Sequence, residues 1–239
     1  MTESPVAPTA DRGQGQVVFE DADYRLAVVD LLGAIAYGEL SAFERLVDDA
    51  KLAPSLRDQV EMCGMASLEF AHVARLHERL VQLGVDPFDA MAPFESAIDL
   101  FHAHTAPADW YEGLIKAYVG DGMAADFYRE IAAYLDADTR DLIVASLEDS
   151  GQATFAVRHI RQAIVEDPKL AGRLALWGRR LMGEALTQAQ RVAAERDALT
   201  ALLAGGIDRP GLDLAAIGRM FTRITERHAE RMAELGLSA

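Results

Sequence analysis

The stretch Met65-Ala66-Ser67-Leu68-Glu69-Phe70-Ala71-His72 decides how this chain is read. It sits inside Ser55 to Leu83, a run without proline whose one glycine is Gly64, and that run reads as a single long helix. Glu69 and His72 are three residues apart, so a helix points both the same way. Their face also carries Met62, Met65, Val73, Leu76 and Leu80 and is therefore the core-facing one. A carboxylate beside an imidazole on a buried face is costly unless something answers it, and a metal ion is one such answer. The remainder of the chain must then supply partner ligands.

On the N-terminal side, a helix is expected from Asp21 or Asp23 to Ala50, with the stripe Val28, Leu32, Ile35, Ala36, Phe43, Leu46 and Val47. Lys51-Leu52-Ala53-Pro54 ends it, and Ser55 is suited to cap the next helix. Glu39 lies about as far before this turn as Glu69 lies after it, within the otherwise apolar Ala36-Tyr37-Gly38-Glu39-Leu40. Glu44 and Asp48 face elsewhere and read as solvated charges.

A second hairpin should repeat the pattern. Its helices are expected over Asp109–Leu135 and from Asp138, as cap, to about Glu166. The latter offers Asp149 with Gln152 at i+3, where a repeat of the motif would have histidine. Asp149 shares a face with Leu142, Ala145, Ser146, Ala153 and Ala156 and is read as inward. The former offers Asp121 or Asp126. Asp121 precedes Asp149 by 28 residues, close to the 30 between Glu39 and Glu69, and lies on the more apolar stripe. Asp126 fits better when distance is measured outward from the two turns. Asp121 is preferred, and Asp126 stays open.

Around these hairpins, residues 1–20 carry Pro5, Pro8, Gly13 and Gly15 among small polar residues and read as a mobile tail to a domain over 21–239. Val85 to Pro107 forms a long crossover containing a short helix, Pro93–His104. A fifth helix runs from Pro168 to about Ala204, a Gly205-Gly206 and Pro210-Gly211 loop follows, and a sixth helix spans Leu212–Leu235. Nothing reads as a strand. The expected class is all-α: a four-helix bundle with the ferritin-like single long crossover, plus two C-terminal helices. A faint internal echo relates Leu52–Asp58 to Leu135–Asp141 at the two hairpin turns.

Composition narrows the function classes. The 38 acidic against 23 basic residues give a net charge of −15, which opposes non-specific binding to phosphate backbones. No apolar run approaches the roughly 18–20 residues that span a bilayer, so no membrane partner is expected. The polar start lacks the basic-then-apolar pattern of a signal peptide, and the lone Cys63 suits a reducing compartment; the expected location is cytoplasmic. His102 and His104 point apart on a helix, His159 lies two turns beyond Gln152, and His77 and His228 read as surface residues. Arg173, Arg179, Arg180, Arg191 and Arg196 with Trp177, and Arg219, Arg223, Arg227 and Arg231, form basic ridges. They are expected to pair with Glu184, Glu195, Glu226 and Glu230 rather than to meet RNA.

At Ala36–Leu40, Glu69–His72, Ala117-Tyr118-Val119-Gly120-Asp121-Gly122 and Asp149 the chain resembles the ferritin-like di-iron carboxylate superfamily. More narrowly, it is similar to the bacterial family of the tRNA hydroxylase that acts on 2-methylthio-isopentenyl-adenosine. The resemblance covers roughly residues 24–200. It implies Glu39 and Asp121 as single carboxylates, Glu69/His72 as one Glu-x-x-His, and Asp149/Gln152 as the degraded other. It also implies iron, two ions or one, with dioxygen and an electron donor as partners. The chemistry would be hydroxylation in a cavity lined by Met62, Met65, Met123, Tyr37 and Tyr118. Gln152 is a weaker ligand than imidazole, so the alternative is a helical scaffold with a vestigial site. A tRNA substrate is disfavoured by the net acidity, and a homodimer is compatible with the sequence.

Overall fold

A computed structural model describes residues 22–147, 151–204 and 214–239. The tail assigned to 1–20, Asp149 and the Gly205–Gly211 loop lie outside the described residues. Every regular element among the described residues is helical. α1 (Ala22–Ala50) turns through Lys51–Ser55 into α2 (Leu56–Gln82), and the two pack antiparallel along their length. Ser55 caps α2 by accepting from the Asp58 amide, and Gly84, at φ +71°, ends it as a left-handed residue that any side chain would strain. The crossover is more helical than expected: α3 (Pro87–Met91), a 3₁₀ turn (Ala92–Phe94) and α4 (Glu95–His104).

Three long helices expected from sequence are interrupted. The third is α5 (Trp110–Ile115), a π-helical segment (Lys116–Gly120) and α6 (Asp121–Ala132). The fourth splits into α7 (Ala137–Ser146) and α8 (Gln152–Glu166), because Gly151 takes φ +97° immediately before α8. Its cap is Asp136, which accepts from the Thr139 amide, and not Asp138. The fifth bends at Arg196 into α9 (Leu170–Glu195) and α10 (Asp197–Ala204). Asp30 of α1 pairs with Arg196 at this bend. The chain closes with α11 (Leu214–Glu234).

By length and composition α1 could cross a membrane, contrary to the first reading, yet 67% of its most apolar window is buried in the bundle. Val28, Leu31, Leu32 and Ile35 are its core residues. They join Leu76, Leu80, Phe94 and Ile143 in one apolar cluster. A second cluster gathers Leu46, Met62, Met65, Ile115, Met123, Phe155 and Ile160 with α9 and α11. On both α1 and α2 the switch from one cluster to the other falls where Glu39, Glu69 and His72 stand. The fold thus holds a polar layer between two apolar ones.

Two features of this packing are testable. At Gly33 α1 approaches α3 so closely that a Cβ would lie 2.1 Å from the Ala90 carbonyl oxygen, a backbone atom that cannot swing aside. Gly33→Val should therefore destabilise the protein by about 1–3 kcal/mol in urea unfolding; an unchanged midpoint would contradict this packing. α11 buries the stripe Met220, Ile224, His228 and Met232, so His228, read as a surface residue, is 3% exposed. The error has a physical source: the ring occupies an i, i+4 position of an apolar stripe. Neither of its nitrogens has a partner among the described residues, and burial lowers its pKa. His228→Leu should raise stability by about 1 kcal/mol, since an unpaired buried polar group is removed; a lower thermal midpoint would refute it.

Candidate metal centre

Glu39 of α1 and Glu69 and His72 of α2 meet in the polar layer, each offering a ligand atom within 4.8 Å of the others. Nδ1 of His72 lies 3.3 Å from Oε2 of Glu39 and 3.7 Å from Oε2 of Glu69. These side chains are only 9–12% exposed. Among the described residues this is the one cluster of three or more His, Cys, Asp or Glu side chains with such geometry.

A cavity of about 200 Å³ opens against the cluster, and Glu39, Glu69, Asp121 and Gln152 line it. Asp121 follows directly on the π-helical segment, whose extra residue per turn brings Ala117, Tyr118, Asp121 and Gly122 to the cavity wall. Such bulges recur at functional sites. Gln152 enters from the first residue of α8, and its Nε2 donates to Oε1 of Glu69 at 2.7 Å. Asp126, the alternative to Asp121, is engaged elsewhere. It is 2% exposed and bound by Arg231 at 2.5 Å and Arg227 at 3.4 Å, both from α11.

The electrostatics fit a cation. Burial and a hydrogen bond to Glu69 push the Glu39 carboxyl up to about 10. Burial and the charges of Glu69 and Glu39 likewise raise Asp121 well above the usual carboxylate range. Three carboxyl groups thus act on one another, and the Glu39 carboxyl keeps its proton at neutral pH. A divalent ion would replace that proton and answer the remaining charge. Glu39, Glu69 and His72 are a carboxylate–imidazole set suited to iron, manganese or zinc. The second half, Asp121 with Gln152, brings no imidazole.

Other expectations fall out differently. Met62, Met65 and Met123 are core residues, and the Tyr37 hydroxyl donates to Asp99, so of the expected lining only Tyr118 reaches the cavity. Ala117, Ala125, Leu147 and Ala153 supply the apolar wall instead. His159 pairs with Asp58 at 3.3 Å and meets the Trp110 ring edge-on and the Phe155 ring at a tilt. His104 meets Glu184. Arg191 pairs with Glu195 as expected, but Arg173 pairs with Asp109 and Glu112, Arg223 with Glu130, and Arg227 with Asp126 and Glu130, while Arg179 and Arg180 donate to the carbonyls of Ser238 and His104. Sequence reasoning put Tyr128 on the apolar stripe of Asp121 but gave it no role at the site; burial and the charges of Glu39 and Asp121 raise its hydroxyl. Its place four residues before Ala132 on the inward face of α6 was the available signal.

A family model described as a ferritin-like domain of actinomycetes matches residues 22–206, which takes in α1 through α10 and leaves out α11. No curated protein matches the chain.

Proposed function

This chain belongs to the actinomycete ferritin-like domain family, and from that premise we propose that it is a metal-dependent oxidase or hydroxylase acting on a small organic substrate. The observation that carries the reading is the meeting of Glu39, Glu69 and His72 beside a cavity inside a helical bundle. These residues would hold one metal ion firmly. Asp121, with Gln152 and a shared carboxylate, would hold a second more weakly, because an amide oxygen is neutral and a poorer donor than imidazole. Iron bound there would supply the electrons that activate dioxygen for attack on a C–H bond.

The protein's own contribution is placement. α1 and α2 are rigid supports, so the three ligands need little reorganisation. The Gln152 amide fixes the rotamer of Glu69 through Oε1 and leaves Oε2 turned toward His72. Ala117, Ala125, Leu147 and Ala153 keep the cavity wall apolar and limit water beside the reacting group. The finer likeness, to the tRNA hydroxylase, is less well supported. The arginines that would meet a phosphate backbone are held by Asp109, Glu112, Asp126 and Glu130.

A second reading follows from Gln152 standing where a histidine would complete the set: a binding protein whose site has lost its chemistry. Loading with ferrous iron under anaerobic conditions separates the two. About one tightly bound equivalent, a weaker second, and an optical change on admitting oxygen are expected. Less than a tenth of an equivalent in every preparation would refute the proposed function.

A further inference from the structure

Much of the apolar surface that the bundle leaves in water gathers on one helix. Leu56, Val60, Leu68, Phe70 and Val81, all on α2, are each half exposed or more. The inward residues of α2 pack along α1, and its opposite face is open to solvent along the whole helix. That face repeats every seven residues. Val60, Ser67, Ala74 and Val81 form one row; Gly64 and Ala71 form the adjoining one, with Arg57 and Glu78 at its ends. All eight are exposed. A seven-residue repeat is the spacing by which two helices pack along a seam. Small residues at the middle of the seam let the helix axes approach to about 8 Å, and a Cβ at Gly64 would meet nothing within 4 Å in the subunit.

Charge decides what covers this seam. A chain carrying −15 repels a second copy of itself over most of its surface. On the outer face of α2 the signs balance, Arg57 and Arg75 against Glu61 and Glu78, and their order is self-complementary about Leu68. Glu61 stands seven residues before Leu68 and Arg75 seven after it, while Arg57 stands eleven before and Glu78 ten after. A two-fold axis at Leu68 that runs two copies of α2 antiparallel sets Glu61 of each chain beside Arg75 of the other, and Arg57 beside Glu78. Gly64, four residues before the axis, then lies against Ala71, three after it. A parallel pair in register would instead set each charge against its own like.

We infer that two copies of this chain associate through the outer face of α2, antiparallel about Leu68. The inference does not depend on the chemistry of the metal centre, although the helix it braces carries Glu69 and His72 on its inward side. Helix geometry makes the seam about 37 Å long and about 10 Å wide, roughly 400 Å² against the ~800 Å² per partner of a standard interface, so the dimer is a weak one with a micromolar dissociation constant.

Sedimentation equilibrium of the full chain, from about 1 μM to about 1 mM, tests this. The mass should climb from 26.0 kDa towards twice that value. Gly64→Arg fills the seam with a charged side chain and gives the helix a better former than glycine. It should weaken association about thirtyfold or more, while the thermal midpoint of the dilute protein is unchanged or higher. Glu61→Arg and Arg75→Glu each oppose like charges across the seam and should each weaken it about tenfold. Mixed in equal amounts, these two variants should recover the original association as a heterodimer, because the first brings basic residues at both positions and the second acidic ones. Glu61→Arg also loses its exposed pair with Arg158 in the same subunit, a loss that mixing does not repair, so recovery reports on the seam alone. A constant 26.0 kDa across the range, association unmoved by Gly64→Arg, or a mixture no tighter than its components overturns the inference.

Discussion

Glu69→Gln is expected to move metal affinity and metal-free stability in opposite directions. Its carboxylate faces Glu39 and His72, and its charge is among the causes that raise both Glu39 and Asp121. Neutralising it removes repulsion in the metal-free protein, a gain on the order of 1 kcal/mol if one neighbouring pKa relaxes by a unit. The same change deprives a cation of an anionic ligand. Losing even an outer-shell partner of a metal ligand costs about 10–100-fold in affinity, so the loss here should reach or exceed about 100-fold. Urea unfolding in chelator and competition titration with a chromophoric chelator measure the two quantities. Asp126→Asn is the contrast. Its carboxylate already answers Arg231 and Arg227, so depriving the largely buried Arg231 guanidinium of its carboxylate should cost about 3–5 kcal/mol, with metal affinity almost unchanged. If Glu69→Gln destabilised the metal-free protein while metal still bound as before, Glu69 would be an ordinary structural acid and the proposed centre would be lost.

These opposite signs mark what the sequence could and could not disclose. The α1–α2 hairpin was legible because its signals are local: Pro54, the Ser55 cap and an unbroken apolar stripe on each side. Glu39 and Glu69 could be paired because a short turn fixes the register of an antiparallel hairpin. The break before α8 had a signal in Ser150-Gly151, a turn-prone dipeptide, which the apolar spacing around it outweighed. No local pattern announces the π-helical segment, since the Lys116–Gly120 backbone yields to packing rather than to propensity. The ladder Arg223, Arg227, Arg231 was visible at i, i+4, i+8. Its partners were not, because Asp126 and Glu130 repeat the same spacing on α6, a helix that only tertiary structure sets alongside.

Acidity should stabilise the metal-free protein, the reverse of ordinary acid denaturation. Glu39 is raised from 4.5 to about 10, and Asp121 is raised well above its reference value. Between those limits the folded state binds more protons than the unfolded chain. The slope of unfolding free energy with pH is therefore negative, and the stabilisation present at low pH is lost as pH rises through the folded values. Other buried groups confine the clean window. Asp49, raised to about 6, adds the same sign only at lower pH. His102, lowered to about 3 by burial and nearby cations, acts oppositely below its reference of 6.5. Lys116, lowered to about 8, opposes the trend at higher pH. From about pH 6.5 to 8 the metal-centre carboxyls dominate, with a slope of at most about 1.4 kcal/mol per pH unit for each proton. Urea unfolding in chelator should show stability falling across that window. With zinc in excess the slope should reverse, because the ion displaces the proton held on Glu39 and binds more tightly as pH rises. A flat profile in chelator would mean that the three carboxyls do not confront one another, and zinc-loaded protein that tracked the chelated sample would mean that no ion takes their proton's place.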